Sequence, residues 1–392
     1  MTKKIGSALI TLLAIFIGYQ IWGFFYLGKP TELVKSEVLK ERSFEVKRFP
    51  DNPIIRHTMS DRLIEESRLY GYVNINGPSL IRVPSWVQKP LGKYYLYFAH
   101  HKGEYIRLAY ADRLGGPWKI HESGTLHLKD SLFTTEASRA RKIQSALGLW
   151  KRLSPTEFWA LLHVGLAARK AVEIRASRKT LGSDELRAHI ASPDVIVDEK
   201  RREIRMYYHG LLKDGTQLSR IAISTDGIHF TAKPELIATP YLRVFRYRDA
   251  YYGLSMPGIL YRSKDGLSGF EVRPKPLFGV NMRHTALLRS GTKLYVFWSR
   301  VGDAPERILC SAIDMIPEDW SDWRASEPVD VLRPKMRWEG ADLPVVPSLR
   351  GETTVRSHEL RDPAIFQEEG RIYLLYACAG ENAIAIAELI VR

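Results

Sequence analysis

Short strands rich in aromatic residues recur along the chain beyond about residue 70. They combine aromatic and β-branched side chains in the alternating order that favours strands. The aromatic strands fall at residues 94–98, 204–208, 251–254, 294–298 and 372–376. A short apolar strand precedes each one, and a third alternating strand and a Gly/Asp turn usually follow. A unit of a few tens of residues repeated five times predicts an all-β fold, a five-bladed β-propeller over residues 70–392.

The last repeat lacks one strand, because its third strand ends at residue 392. A blade left with an open edge would expose unpaired backbone groups. Residues 43–49 alternate as SFEVKRF and are able to fill this edge. We therefore expect 29–69 to be a linker that includes a ring-closing strand.

One segment interrupts the repeat. Residues 129–188 carry 12 Lys/Arg against 6 Asp/Glu and no aromatic strand. The sequence Ser154-Pro155-Thr156-Glu157 is typical of a helix start with a capping box. We predict that 130–188 is a basic helical insertion between the first and second blades. It would pack on the propeller as a flap, wall one end of a cleft, or rest on a membrane surface.

The N-terminus carries an uncharged stretch over residues 5–27, preceded by Lys3 and Lys4. As a helix, these 23 residues would measure about 34 Å, enough to cross a hydrocarbon core of about 30 Å. Aromatic residues at its end suit a membrane interface, which favours an uncleaved anchor at 1–28. The two lysines predict a cytoplasmic N-terminus, so the propeller is expected in the periplasm or outside the cell.

The composition is that of a globular protein, with 45% hydrophobic and 26% charged residues, which excludes a disordered chain or a polytopic membrane protein. The 58 Lys+Arg and 44 Asp+Glu give a net charge of +14. Outside the membrane, this charge fits anionic lipid or acidic polysaccharide, and we expect no nucleic-acid partner. The two cysteines, Cys310 and Cys378, are interpreted as small buried residues.

Polar residues cluster at the starts of the leading strands, which line the central channel of a propeller. The candidates at these strand starts are Asn76, Asp194, Arg243, Arg283, His284, Glu359, Arg361 and Asp362. Carboxyl groups transfer protons, and guanidinium and amide groups bind hydroxyls, so this set suits carbohydrate chemistry. Trp338, just ahead of the last blade, is a candidate for stacking on a sugar ring.

The segment Glu359-Leu360-Arg361-Asp362-Pro363-Ala364-Ile365-Phe366, followed by Gly370 and an aromatic strand, resembles the five-bladed propellers of glycoside hydrolase family 43. The related invertase and levansucrase families carry a similar Arg-Asp-Pro. The resemblance covers residues 70–392 without the insertion. It implies a glycoside hydrolase with an acidic triad on successive blades: a base, an acid and a third carboxylate that tunes the acid.

Transfer of this triad is partial. Gly77-Pro78 stands where the family has its first-blade Asp-Pro, and no Glu stands at the start of the third blade. From the carboxyl groups that are present, we predict Asp362 as base, with Glu359 or Asp194 as acid and the other as the tuning group. Arg361, Arg283, Arg243 and Asn76 would bind substrate.

A second functional class stays open: a non-catalytic carbohydrate-binding or scaffolding propeller that has lost part of the triad. Either class predicts a carbohydrate partner and a membrane contact through the N-terminal segment. No cofactor is required, although His284 could bind a structural divalent cation on the propeller axis.

Overall fold

The computed structural model of this chain describes residues 23–27, 29–35, 39, 44–136, 152–174 and 187–391. Five antiparallel sheets follow one another around an axis, which confirms the predicted five-bladed all-β propeller. Blade 1 consists of β3 (Asn76–Arg82), β4 (Tyr94–Ala99), β5 (Arg107–Ala111) and β6 (Lys119–His121). Blade 2 consists of β7 (Ile190–Asp198), β8 (Glu203–Leu211), β9 (Gln217–Ser224) and β10 (Thr231–Ala232).

Blades 3 and 4 repeat this order from the axis outward. Blade 3 consists of β11 (Arg243–Tyr247), β12 (Ala250–Ser255), β13 (Ile259–Ser263) and β14 (Glu271–Val272). Blade 4 consists of β15 (Met282–Ser290), β16 (Lys293–Arg300), β17 (Ile308–Asp314) and β18 (Val329–Leu332). The predicted aromatic strands are the second strands of their blades.

Blade 5 joins the two ends of the chain. It contains β19 (Leu360–Glu368), β20 (Arg371–Cys378) and β21 (Ala383–Val391), and its outer strand is β1 (Phe44–Arg48). β1 pairs antiparallel with β21 from Phe44↔Val391 to Arg48↔Ala387, and the short β2 (Ile55–Arg56) pairs with β21 beyond it. The ring-closing strand predicted at 43–49 is therefore confirmed.

In the described part of the chain, two α-helices lie on the connections between blades. α1 (Asp61–Tyr70) begins after Ser60, whose hydroxyl accepts a hydrogen bond from the Leu63 amide, and ends at Gly71 in the left-handed conformation. α2 (Pro155–Ile174) begins with the reciprocal Ser154–Glu157 hydrogen bonds of a capping box. Residues 137–151 and 175–186 lie outside the described residues, so the insertion as a whole stays a prediction. Single helical turns occur at Gly23–Leu27, His57–Met59, Leu128–Asp130, Trp320–Asp322 and Arg337–Glu339.

The core consists of an apolar cluster between each pair of neighbouring blades. Tyrosines on the second strands also reach the closing turn of the next blade: Tyr97 donates to the Gly227 carbonyl and Tyr207 to the Gly266 carbonyl. This explains why the second strands are aromatic. Cys310 and Cys378 are buried and unpaired between blades 4 and 5, as expected.

Antiparallel neighbours alternate in direction, so several features share one end of the ring. The inner strands begin there, the loops between second and third strands lie there, and the connections between blades arrive there. We call this end the upper face. Within the described ranges, no helix is both long and apolar enough to span a bilayer. The anchor predicted at 1–28 lies largely outside these ranges.

Candidate functional site

One residue at the start of each inner strand adopts a positive φ. These residues are Gly77 (59°), Ser192 (52°), Tyr241 (62°), His284 (45°) and Asp362 (48°). In blades 1, 2, 4 and 5 the residue lies in a β-bulge, where the register between the first two strands shifts by one residue. A bulge re-aims a side chain away from the regular sheet direction. We call these five residues the bulge ring.

Neighbouring members of the bulge ring approach one another around the axis. A Cβ on Gly77 would lie 3.3 Å from Cα of Ser192, and the rings of Tyr241 and His284 are 4.6 Å apart. His284 Nδ1 lies 2.7 Å from Oδ1 of Asp362. The repeated bulge therefore places a carboxylate and an imidazole from adjacent blades side by side.

Asp362 is only 2% exposed, and its second oxygen, Oδ2, has no hydrogen-bond partner among the described residues. A buried carboxylate oxygen normally finds a protein or water donor, because leaving it unpaired is costly. Burial lowers the pKa of His284, although the Asp362 carboxylate opposes this effect. Burial, with the charges of Asp362 and Glu381, raises the pKa of Tyr241. A neutral imidazole and a neutral phenol thus flank a carboxylate that has room for one more donor.

Two arginines and three glutamates form an ion cluster beside the bulge ring: Arg283, Arg361, Glu306, Glu359 and Glu381. Arg361 lies 3.3 Å from Glu381 and 3.4 Å from Glu306, and it also pairs closely with Glu359. Arg283 lies 3.7 Å from Glu306. Burial disfavours ionisation of Glu381, but the charges of His101, Arg361 and Arg283 outweigh it and hold the pKa well below its usual value. We call this group the axial ion cluster.

The sequence did not point to Glu306 or Glu381. Both lie on the loops between the second and third strands of blades 4 and 5, which open on the upper face. In the sequence, each of these glutamates is only a lone acid shortly after an aromatic strand. Such a pattern does not show that two blades bring the acids together when the ring closes. Glu381 also accepts from Asn74 (2.5 Å) and from the predicted Asn76 (3.2 Å).

A loop from the last connection covers the axial ion cluster. The carbonyls of Leu349 and Gly351 accept hydrogen bonds from Arg283 at 2.8 and 3.2 Å and from Arg361 at 3.3 and 3.2 Å. Farther along, Glu352 accepts from the Tyr72 hydroxyl at 2.6 Å. We call residues 343–357 the strap. The carboxyl groups expected at an open channel mouth are therefore buried beneath it.

Asp194 does not occupy the place in its blade that Asp362 occupies in blade 5. It lies two positions after the bulge residue Ser192, at the register position of Ala364. Its oxygens accept from the Val244 amide at 2.8 Å and from Arg243 at 3.3 Å. Burial nevertheless raises its pKa. Asp194 follows the proline of its bulge whereas Asp362 precedes the proline of its own, so the two acids occupy different places in their blades, and the predicted role of Asp194 as acid or tuning group stays a prediction.

Arg243, a predicted substrate-binding residue, makes contacts between blades. Its guanidinium donates to the carbonyls of Pro78, Pro193 and Thr285, at 3.3, 2.5 and 3.1 Å, and so joins blades 1, 2 and 4 near the axis. Arg243 therefore links blades through these carbonyls and Asp194, and its substrate-binding role stays a prediction.

Trp338, the predicted sugar-stacking residue, lies between blades 4 and 5. It lies on the helical turn Arg337–Glu339 and packs, partly buried, against the apolar cluster between blades 4 and 5. The indole therefore contributes to the core between two blades, and its stacking on a sugar ring stays a prediction.

A cavity of about 540 Å³ opens between α1 and blade 1 on the upper face. Its lining includes Arg62, Glu66, Tyr70, His100, Tyr105 and Lys129. Its volume is in the range of small-ligand sites, and aromatic residues alternate in it with charged ones. Sequence reasoning missed it, since 29–69 was expected to hold only a linker and a strand.

No group of three or more His, Cys, Asp or Glu side chains in the described part of the chain is arranged to hold a metal ion. His284, the expected cation ligand, instead faces Asp362 and Tyr241. The cation on the axis stays a prediction.

Fold and site together define a five-bladed propeller with a buried carboxylate and ion cluster at the upper end of its axis. No family model matches the chain. It is 31% identical over 369 residues to the uncharacterised protein R118 of Acanthamoeba polyphaga mimivirus, an alignment that covers 88% of this chain and 90% of that protein. The chain belongs to the same family as R118.

Among solved structures, an exo-β-1,3-galactanase from Phanerochaete chrysosporium is similar over 81% of this chain and 60% of its own, with 9% identity and a TM-score of 0.47. The chain therefore spans less than two thirds of that galactanase. A family 43 β-xylosidase/α-arabinofuranosidase from a compost metagenome is similar over 81% and 91%, with 13% identity and a TM-score of 0.46. A family 43 enzyme from Xanthomonas citri gives 12% identity and 0.44. These propellers come from the family that the Arg-Asp-Pro segment resembles, and the similarity concerns the fold alone.

Proposed function

We propose that this protein is a membrane-anchored, extracytoplasmic glycoside hydrolase whose reacting carboxylate is Asp362. The observation that carries the proposal is the environment of this side chain. Its Oδ1 lies 2.7 Å from His284 Nδ1, and no residue in the described part of the chain donates a hydrogen bond to its buried Oδ2. A hydroxyl or water bound at Oδ2 would supply the missing donor and would be held for proton abstraction.

Hydrolysis needs a second carboxyl group that delivers a proton to the leaving oxygen. Asp194 and Glu359 are the two candidates. Burial favours the protonated form of Asp194, as an acid requires, but Arg243 and the Val244 amide occupy its oxygens. Glu359 follows the strap and pairs with Arg361. Its carboxyl group could reach a substrate only if this ion pair opened. The choice between these two acids is part of the proposal.

Substrate access requires the strap to move. Its attachment to the axial ion cluster consists of hydrogen bonds to the carbonyls of Leu349 and Gly351. Sugar hydroxyls accept hydrogen bonds from guanidinium groups as carbonyls do. We propose that substrate hydroxyls replace these two carbonyls on Arg283 and Arg361.

The test is turnover by the full chain in nanodiscs, assayed on a panel of aryl glycosides and oligosaccharides. Asp362→Asn keeps the shape of the side chain, and loss of its general-base function is expected to lower kcat by about 10²- to 10⁴-fold. Asp314→Asn is the matched control, because Asp314 ends β17 at the opposite face and pairs with Lys293. Equal kcat values for Asp362→Asn and the unmutated protein would refute the role of Asp362.

A second candidate function is carbohydrate binding without turnover. It is favoured by the axial ion cluster, in which Arg283 and Arg361 engage all three glutamates. The 540 Å³ cavity beside α1 would then be the binding site. Saturable binding of an oligosaccharide that is lost in Tyr70→Ala, with no product formed by the unmutated protein, would establish this function instead.

A further inference from the structure

The upper face also receives the start of the described chain. A Cβ on Gly23 would overlap the indole of Trp159 in α2, and α2 is fixed to blade 3 by a 2.7 Å hydrogen bond from Thr156 to the Pro274 carbonyl. Lys275 Nζ lies 3.4 Å from the centroid of the Tyr26 ring. The Thr31 amide donates to the Pro276 carbonyl at 2.9 Å. Residues 274–276 connect blades 3 and 4 at the upper face, so residues 23–31 are attached there.

This attachment leaves no long linker between the propeller and the apolar segment at 5–27. The uncharged stretch runs from residue 5 to residue 27, and within its last five residues Gly23 lies against Trp159 and Tyr26 against Lys275. A propeller on a long linker could present any face to a membrane. Here the apolar segment leads directly into the upper face.

Exposed apolar side chains are also found on this face. Leu69 at the end of α1 is 79% exposed, and Val355 in the strap is 70% exposed. Val345, Val346 and Leu349 of the strap are exposed too. Residues of this kind cost little at a lipid interface and are unfavourable in water. The net charge of +14 adds an attraction to anionic headgroups.

We propose that the upper face lies against the membrane surface. We further propose that the sugar bound at the Asp362 site is the headgroup of a membrane glycolipid. The inference rests on the proposed function for the sugar and on the anchor for the membrane. The cavity beside α1 opens on the same face, next to Leu69, and it is large enough for one or two sugar rings. A sugar carried by a lipid reaches this face without leaving the bilayer surface.

Orientation is tested on the full chain in vesicles of phosphatidylcholine and phosphatidylglycerol that contain a headgroup-level quencher. A fluorophore is attached to Val355→Cys, or to Ile316→Cys as the control; both native cysteines are buried. Ile316 is 58% exposed and follows β17 on the opposite face. We expect several-fold stronger quenching at position 355. Equal quenching, or stronger quenching at 316, would overturn the proposed orientation.

The substrate class is tested in the same vesicles with a diglycosyl diacylglycerol and with the free disaccharide of the same linkage. We expect binding or turnover of the lipid-borne sugar to exceed that of the free sugar by at least tenfold. Preference for the free disaccharide would overturn the inference while leaving the proposed function intact. If neither sugar is bound while position 355 is quenched, the proposed function and the glycolipid fail, and only the orientation stands.

Discussion

Ser79 and Asp194 make the same link in successive blades. Ser79 Oγ accepts a hydrogen bond from the Val195 amide of blade 2, and Asp194 Oδ2 accepts one from the Val244 amide of blade 3, both at 2.8 Å. Both residues follow the proline of their bulge and share one register position. The link joins the inner strands of blades 1 and 2 and those of blades 2 and 3, and Asp194 in blade 2 also accepts a hydrogen bond from Arg243.

Replacing Asp194 should reveal this structural role. Asp194→Asn keeps an acceptor for the Val244 amide but removes the charge beside Arg243. We expect the free energy of unfolding to fall by about 3 kcal/mol, as when one partner of a buried ion pair is lost. Ser79→Ala removes the neutral version of the link and should cost about 1 kcal/mol. Both values are measured by urea denaturation, and equal losses in the two variants would contradict a role of the Asp194 charge.

Arg243 is expected to contribute more to the free energy of unfolding than its neighbours on β11. Arg243→Met leaves Asp194 and three carbonyls near the axis without their donor, so a loss of about 3–5 kcal/mol is expected. Arg246→Met is the matched control, because Arg246 is exposed on β11. Its change should be within about 0.5 kcal/mol. A similar melting temperature for both variants would show that the carbonyl contacts of Arg243 contribute little.

The fold was largely predictable, because its signals are local. Apolar and polar residues alternate along a strand with a period of two, and this alternation over 43–49 identified the ring-closing strand. The site was less predictable. The positive-φ residue precedes a proline in Ser192-Pro193 and Asp362-Pro363, but Tyr241 and His284 hold this position in blades 3 and 4 with no proline after them, so proline marks only part of the bulge ring. Glu306, Glu381 and Arg361 meet only after blades 4 and 5 pack, and no short sequence pattern encodes that meeting.

Glu381 should make stability depend on pH in the acid range. Its folded-state pKa is well below the unfolded value of about 4.3, so its contribution is full above pH 4.3 and is lost as the pH falls further. Glu381→Gln is expected to cost about 3–5 kcal/mol at pH 7, because Arg361 loses a buried partner. The difference from the unmutated protein should shrink below about pH 4. Denaturation curves at pH 7, 5 and 3.5 test this dependence.

The control for Glu381 is Glu388→Gln in the same blade. Glu388 lies 3.8 Å from Arg371 at the surface, so its replacement should change stability by less than about 1 kcal/mol at each pH. A pH-independent loss in Glu381→Gln would mean that Glu381 acts through packing and hydrogen bonds, not through its charge.

Closure of the ring by β1 predicts that the N-terminal strand carries stability for the whole propeller. The Phe44 ring packs edge-on against Phe297 of blade 4 at 5.7 Å, beside its backbone pairing with Val391. Phe44→Ala should lower the free energy of unfolding by about 2 kcal/mol, because Phe44 is only partly buried. Lys47→Ala on the same strand, with a side chain 57% exposed, should have almost no effect. If Phe44→Ala left the unfolding midpoint of the protein unchanged, β1 would be a detachable edge and closure by this strand would not stabilise the ring.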